Sequence, residues 1–300
     1  MARPALSAAR AVQVLNFLAA HSTETFTLSE LVRRTGVNVA SMHAILAVLE
    51  EAGYVVRDGD ARTYVLGPML VPVGLASGRR HDVIGLARDR LRVMANDLDA
   101  TGLVVGATAT EMVILDEVSV TAPRVPSTGQ RVRMVPPMGA VFMAWADARR
   151  VEEWLASWPT TAAQSDRLVK GLDLVRARGY AVGLETTARH GMRQALRDLQ
   201  EEPGSRRARG QLRRNVAQLG DLGTVVFDLD DAVDYDLGHV AAPVFDAAGQ
   251  VAISVYLVGL RGRHTGQAVH ELGQRLGALA ADITAAGRAD GSIAMAKGVW

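Results

Sequence analysis

The chain has 300 residues, 49% hydrophobic and 22% charged, with a formal net charge of +1. That length suggests two domains and that balance a globular chain with ample core, while so small a net charge excludes a global positive field, so affinity for nucleic acid or an anionic surface must come from local patches. With no cysteine, disulfides, thiolate metal sites and cysteine nucleophiles are excluded, and no apolar run approaches the about 18 residues of a membrane span.

The N-terminal MARPALSAARAV lacks the apolar core of a signal peptide, and a cytoplasmic location is expected. Ala2 to Leu6 reads as a loose tail. Ser7 caps a helix to about Ala20 with Ala11, Val14, Leu15 and Leu18 inside. Arg3 and Arg10 are available to phosphate or to solvent. Then comes TLSELVRRTGVNVASMHAILAVLEEAGYVVRDGDARTYVL, Thr27 to Leu66. Thr27-Leu28-Ser29-Glu30 is a capping box. Gly36 suits a sharp corner, and Asn38 suits the N-cap of a second helix. Met42, Ile45, Leu46 and Leu49 recur at helical spacing as a buried stripe. The opposite face presents Ser41, His43, Ala44 and Ala47. Gly53 stops the helix, and Tyr54 to Leu66 forms a hairpin around Asp58-Gly59-Asp60.

That order is a winged helix-turn-helix, whose second helix enters the DNA major groove while the wing lies on the backbone or minor groove. Ser41 and His43 can bond base edges or phosphates. Arg57 and Arg62 flank the wing and can contact the backbone. The bland alternative is a helical hairpin beside a β-hairpin. Residues 1–80 hold eight Arg against six Asp or Glu, a weak excess for a DNA-binding domain.

Gly67 to Arg80 reads as a partly helical linker, broken by Pro68, Pro72 and Gly74, that packs against a partner chain. Asp82 to Ala100 is an amphipathic helix with Val83, Leu86, Arg90, Leu91, Met94 and Leu98 as repeating positions, ended by Thr101-Gly102. Leu103 to Ala107 and Glu111 to Val118 form a hairpin. Residues 121–137 are a Pro-, Gly- and Arg-rich loop, and loops of that length are uncommon unless functional. Its Arg124, Arg131 and Arg133 can pair with an acidic effector or stay solvated. Helices are expected at Met138 to Trp145, Val151 to Trp158 and Asp166 to Arg178, then a strand at Tyr180 to Glu185.

Residues 186–222 read as two helices joined by a basic turn, with eight Arg against Asp198, Glu201 and Glu202 between positions 189 and 214. Thr224 to Leu229 is a candidate strand. His239 to Phe245 and Gln250 to Gly259 make a hairpin. Thr265 to about Gly287 is a closing helix, and a flexible tail is expected from Arg288.

The fold class is therefore α+β. A winged helix-turn-helix (1–67) is joined by a linker (68–81) to a GAF-like α/β sensor domain with an antiparallel sheet (82–287, insertion about 186–222), before a tail (288–300). The seven His lack the i, i+4 spacing of a zinc pair. There is no P-loop and no GxSxG. Asp228, Asp230, Asp231, Asp234 and Asp236 form an acidic cluster without the EF-hand pattern, so a solvated loop is expected. No metal, cofactor or catalytic residue is expected.

The parts together resemble the IclR family of bacterial transcription regulators. The matching stretches are Ala8-Ala9-Arg10-Ala11-Val12-Gln13-Val14-Leu15, the helix-turn-helix above, GQRVRMVPPMGAVFMAW (129–145), Arg178-Gly179-Tyr180-Ala181 and HVAAPVFDAAGQVAISV (239–255). The resemblance implies a homodimer or homotetramer on a near-palindromic double-stranded DNA operator. It also implies a C-terminal domain that takes a small organic acid or aromatic compound and respaces the two reading helices. Carried over, the DNA-binding set is Arg33, Arg34, Asn38, Val39, Ser41, His43, Arg57 and Arg62, with Arg33 and Arg34 on phosphate. The effector-binding set is Met138, Gly139, Ala140, Ala242, Pro243, Ser254 and Tyr256.

Two departures stand out. The family's reading helix usually carries a basic residue near position 39 or 44, where this chain has Val39 and Ala44. Also, 58 residues separate Tyr180 from His239, where the family spends a few dozen or fewer. The expectation is a ligand-responsive DNA-binding transcriptional regulator, a repressor of a catabolic operon and not an enzyme. Its rivals are a ligand sensor or scaffold with a degenerate helix-turn-helix, and an enzyme on a GAF-like domain.

Overall fold

A computed structural model describes residues 5–80, 82–119, 128–201, 205–221, 229–289 and 293. The chain gathers into two compact units, residues 1–77 with 192–213, and residues 78–191 with 214–300.

The first unit is built on α1 (Leu6–Ala20), β1 (Phe26–Thr27), α2 (Leu28–Thr35), α3 (Val39–Glu51), β2 (Val55–Arg57) and β3 (Thr63–Leu66). Its core is Val14, Phe17 and Leu18 of α1, Leu31 of α2, the stripe Met42, Ile45, Leu46 and Leu49 of α3, and Val55 and Tyr64 of the wing. The capping box forms. The Glu30 N–H donates to Thr27 Oγ1 (3.3 Å), and the Thr27 N–H donates to Glu30 Oε2 (2.8 Å). The backbone bond from Thr27, then the one from its hydroxyl, holds the Glu30 carboxyl below its ordinary range. Gly36 ends α2 in the left-handed region, φ 74°, a conformation a Cβ disfavours. A strand absent from the sequence reading appears: Phe26 pairs with Tyr64, so the sheet runs β1–β3–β2. Two residues carry no period-two signal, so the strand exists only through its partner.

The linker is a continuous helix, α4 (Leu70–Arg80). Pro72 lies in its first turn, where backbone N–H groups have no intrahelical acceptor to lose. Val71 and Leu75 remain 62% exposed.

The second unit opens with α5 (Val83–Asp97), β4 (Thr101–Ala107), β5 (Glu111–Ser119), β6 (Arg131–Arg133), α6 (Ala140–Met143), α7 (Ala148–Ala156), α8 (Ala162–Arg178) and β7 (Ala181–Leu184). The chain then runs through α9 (Thr187–Glu201) and α10 (Arg206–Asp221), of which residues 192–213 belong to the first unit, and the second unit closes with β8 (Asp234–Phe245), β9 (Val251–Val258), β10 (Arg263–Thr265) and α11 (Gly266–Ala289). The sheet order is β10–β8–β9–β4–β5–β6, all antiparallel, and β7 shares the outer edge of β8 with β10.

One face carries Val240, Ala242, Val244, Ile253, Val255 and Leu257 against Ala87 and Leu91 of α5 and Val269, Leu276 and Ile283 of α11. The other packs Val105, Ala107 and Ala241 against Phe142 of α6, Trp154 of α7, and Leu172 and Val175 of α8. Across β8–β9 the Ser254 hydroxyl, fully buried, donates to the Ala242 carbonyl at 2.8 Å.

Several expectations change. Arg90 is exposed, and the inner line of α5 is Val83, Ala87, Leu91, Met94 and Ala95. Thr101-Gly102 begins β4 rather than ending the helix, which stops at Asp97. Part of the expected loop 121–137 is β6 on the sheet edge. The expected helix Met138 to Trp145 shrinks to α6. Asp234 and Asp236 of the expected solvated loop lie inside β8, paired with Thr265 and Arg263. Arg288 is helical, its Nε donating to the Asp246 carbonyl at 3.1 Å. Arg124, Asp228, residues 224–228 of the candidate strand and nearly all of the tail lie outside the described residues. No described helix is long and apolar enough to cross a membrane.

Thr27→Ala should cost about 1 kcal/mol of stability at neutral pH. A carboxyl with a lowered folded pKa stabilises above its unfolded value and loses that contribution as pH falls through the folded one. The gap between wild type and Glu30→Gln in denaturant melts should therefore be full above pH 4.5 and close on acidification. Ser254→Ala should cost about 1 kcal/mol or somewhat more, because it leaves a buried carbonyl without its second donor.

Candidate nucleic-acid interface and effector face

The exposed surface of α3 follows from its buried stripe. With Met42, Ile45, Leu46 and Leu49 inward, Val39, Ala40, His43, Ala44, Ala47 and Val48 face out. Val39 is 53% and Val48 64% exposed, so the face is apolar and small, with one imidazole and no cation. It can approach base edges closely and pack on thymine methyls, which are read by apolar contact.

The start of α3 is fastened by three polar contacts. Asn38 Oδ1 accepts the Ser41 N–H at 2.9 Å. Arg10 of α1 donates to the Ser41 hydroxyl at 3.0 Å. Gln13 of α1 donates to the Thr35 carbonyl at 2.8 Å, beside the Gly36 corner. Ser41 is therefore half-buried and partly committed to holding α1 on α3. Arg10 enters as the residue that positions it, a role that 31 residues of separation hid in the sequence.

Around this helix, Arg33 is exposed and Arg34 half-buried with a polar partner. Arg57 leaves β2 exposed, its guanidinium 5.9 Å from the Tyr64 ring centre. The wing tip turns on Asp58, whose carboxylate accepts the Asp60 and Ala61 N–H groups. Arg62 follows at φ 53°, a left-handed conformation costing a residue with a Cβ about 1–2 kcal/mol. The unit thus displays Arg33, Asn38, Val39, His43, Arg57 and Arg62 on its surface.

The effector set divides. The Met138 carbonyl accepts the Trp154 indole N–H at 3.0 Å. Gly139 starts α6 at φ 85°, and a side chain there would run into Met134. Ala140 is buried behind it. Tyr256 belongs to the same core face; its hydroxyl sits 3.8 Å from Met112 Sδ, and its ring lies 5.4 Å from that of His239. Ala242 points into the opposite core, and the Ser254 hydroxyl is spent on the sheet. Pro243 lines a cleft of about 530 Å³ with Trp145, Phe245, Gly277 and Arg288.

Ala140 and Tyr256 thus belong to one core, with Met138 and Gly139 leading into α6 beside it, and His239 lies against Tyr256 unforeseen. Its only signal in the sequence was a polar residue in an apolar strand. Of the loop arginines, Arg131 is paired with Glu111 at 3.0 Å and Arg133 is exposed. Elsewhere, the Tyr180 hydroxyl bonds His270 Nδ1 at 2.7 Å, and burial raises its pKa. Among the described residues no group of His, Asp or Glu is arranged to hold a metal.

Residues 7–59 match the IclR helix-turn-helix domain. The probable HTH-type transcriptional regulator ArcR of Halobacterium salinarum is 27% identical over 199 residues, 62% of this chain and 74% of that protein. The crystal structure of an IclR transcriptional regulator from Alicyclobacillus acidocaldarius shares the fold with a TM-score of 0.62 at 23% identity, over 94% of this chain and 99% of that one. An IclR homologue from Microbacterium hydrocarbonoxydans, complexed with 4-hydroxybenzoate, matches with a TM-score of 0.59 at 16% identity, over 93% and 99%. Residues 7–59 are thus an IclR helix-turn-helix domain, and the chain shares the fold of these proteins over nearly its whole length.

Proposed function

We propose that the chain is a ligand-responsive repressor of a catabolic operon that reads its operator with α3 and answers to a small organic acid or aromatic compound. The observation carrying the DNA reading is the outward face of α3, small and apolar around His43, at a capped corner beside the wing. Arg33 and Arg34 before the corner and Arg57 and Arg62 on the wing are the phosphate contacts, while Asn38, Val39, Ser41 and His43 meet the groove. The effector reading draws on Met138, Gly139 and Ala140 at the start of α6 and on Tyr256, with Ala242, Pro243 and Ser254 on the adjoining strands. The homologue complexed with 4-hydroxybenzoate supports an aromatic carboxylate, and the phenol of Tyr256 beside His239 offers stacking and hydrogen bonding to such a ring.

The effector acts by differential affinity for two arrangements of the sensor domain. A coupling of about 1–3 kcal/mol changes DNA affinity some 5–150-fold. The uncovered apolar side chains of α4, Val71 and Leu75, support a homodimer or homotetramer paired through this helix, because exposed apolar patches mark interaction sites. One observation favours a second reading, a sensor with a degenerate helix-turn-helix: α3 presents no cation to guanine.

Titration against the chain's own upstream DNA and a scrambled control, at about 150 mM salt, separates the two. An operator should bind at about 10⁻⁸ to 10⁻¹¹ M with a preference of about 10³ or more. Equal, weak binding to both would favour the degenerate reading. Arg33→Gln and Arg57→Gln should each flatten the salt dependence by about 0.9 and leave the sequence preference intact. Val71→Ser with Leu75→Ser should lower the mass measured by light scattering while far-ultraviolet circular dichroism stays unchanged.

A further inference from the structure

The reading helix leaves an electrostatic gap. Phosphate contacts supply most of the affinity of a DNA-binding protein and essentially all of its non-specific part. Yet α3 shows no cation, and residues 1–80 hold eight Arg against six acids. The chain's concentrated positive charge lies in the segment between β7 and β8, with eight Arg against three acids from 189 to 214.

That segment is ordered as two helices, α9 and α10. They approach closely where a Cβ on Gly191 would lie 2.7 Å from the Asn215 side chain. Of the 16 residues of α10, five are arginine and one, Asp221, is acidic. Ala208 is buried, while Arg206, Arg207, Arg209 and Arg214 are all exposed. At about 100° per residue these four fall within an arc of about 160° centred opposite Ala208. Buried and basic positions therefore segregate by helix geometry.

Arg206, Arg207 and Arg214 carry no salt bridge among the described residues. Residues 192–213, with Arg206, Arg207 and Arg209, cluster with residues 1–77, and Arg214 falls in the other unit.

We propose that the basic face of α10 is a second DNA-binding surface, one that grips the phosphate backbone without reading bases. The inference rests on the DNA-binding reading above and adds to it the source of affinity that α3 lacks. The partner is a duplex backbone because charge is all this face offers: it has no apolar centre, whereas protein interfaces are depleted of charge at theirs. A second copy would bring like charges together across a two-fold axis. The reach also fits. From Arg206 to Arg214 the helix rises about 12 Å, about the width of the major groove between its phosphate walls.

The test uses the full chain and the triple variant Arg206→Gln, Arg207→Gln, Arg214→Gln, titrated with operator and scrambled DNA from low to high salt. The slope of log affinity against log salt should fall by about two to three units. Affinity for both DNAs should drop in parallel, about tenfold or more at about 150 mM, with the preference for the operator kept. The triple lysine variant at the same positions should restore the slope.

An unchanged slope in a chain that still prefers its operator overturns this proposal and leaves the regulator reading standing. A reduced mass with an unchanged slope overturns it in favour of self-association. Failure of the wild type to bind either DNA overturns both readings.

Discussion

Strand β8 is buried on both faces and hydrogen-bonded along both edges, and the sheet domain is arranged around that constraint. β9 takes one edge, while β7 and β10 share the other. Antiparallel sheets commonly leave one face wet. Here Val240, Ala242 and Val244 need one apolar cover and Ala241 needs another, so α5 with α11 and α6 with α8 are both required. The small side chains Ala241 and Ala242 let the layers come close. In an interior packed to crystal density, a change in packing against one face is felt at the other. On the proposed effector reading, the strand pair β8–β9 is the physical link between the Tyr256 side and the rest of the domain.

The proposed DNA reading separates discrimination from affinity. Its outward α3 face offers shape, methyl contacts and one imidazole, which can discriminate bases but attract a polyanion weakly. Charge sits elsewhere, on Arg33, on the wing at Arg57 and Arg62, and on α10. A shape-reading helix with displaced cations keeps sequence preference while letting salt tune total affinity. The anchoring of Ser41 by Arg10 belongs to the same design, since a helix that reads by close contact must be held in place.

Most elements of the DNA-binding unit were legible because their determinants are local. A capping box spans four residues, a glycine corner one, and the α3 stripe repeats within a single helix. The strong hairpins β4–β5 and β8–β9 and the long helix α11 announced themselves for the same reason. The candidate site was less legible. Ser254 and Tyr256 alternate along β9 and so share a face, but periodicity cannot say which hydroxyl is already bonded: Ser254 serves the sheet, and Tyr256 meets Met112, 144 residues away. Ala242 was grouped with the site by its stretch of sequence, and strand alternation turns it into the opposite core.

The sequence by itself determined most of the order of elements, the capped winged helix-turn-helix with its α3 face, and a basic helical segment outside the expected pattern, because propensity, capping and amphipathic spacing act over one or two turns. Only the tertiary structure decided that Phe26 becomes a strand, that Pro72 sits harmlessly in the first turn of a continuous α4, that Arg90 stays outside, and that His239 meets Tyr256. Each of those outcomes depends on register, burial or contact with residues remote in the chain, where the energy of packing and of paired backbone groups overrides local preference.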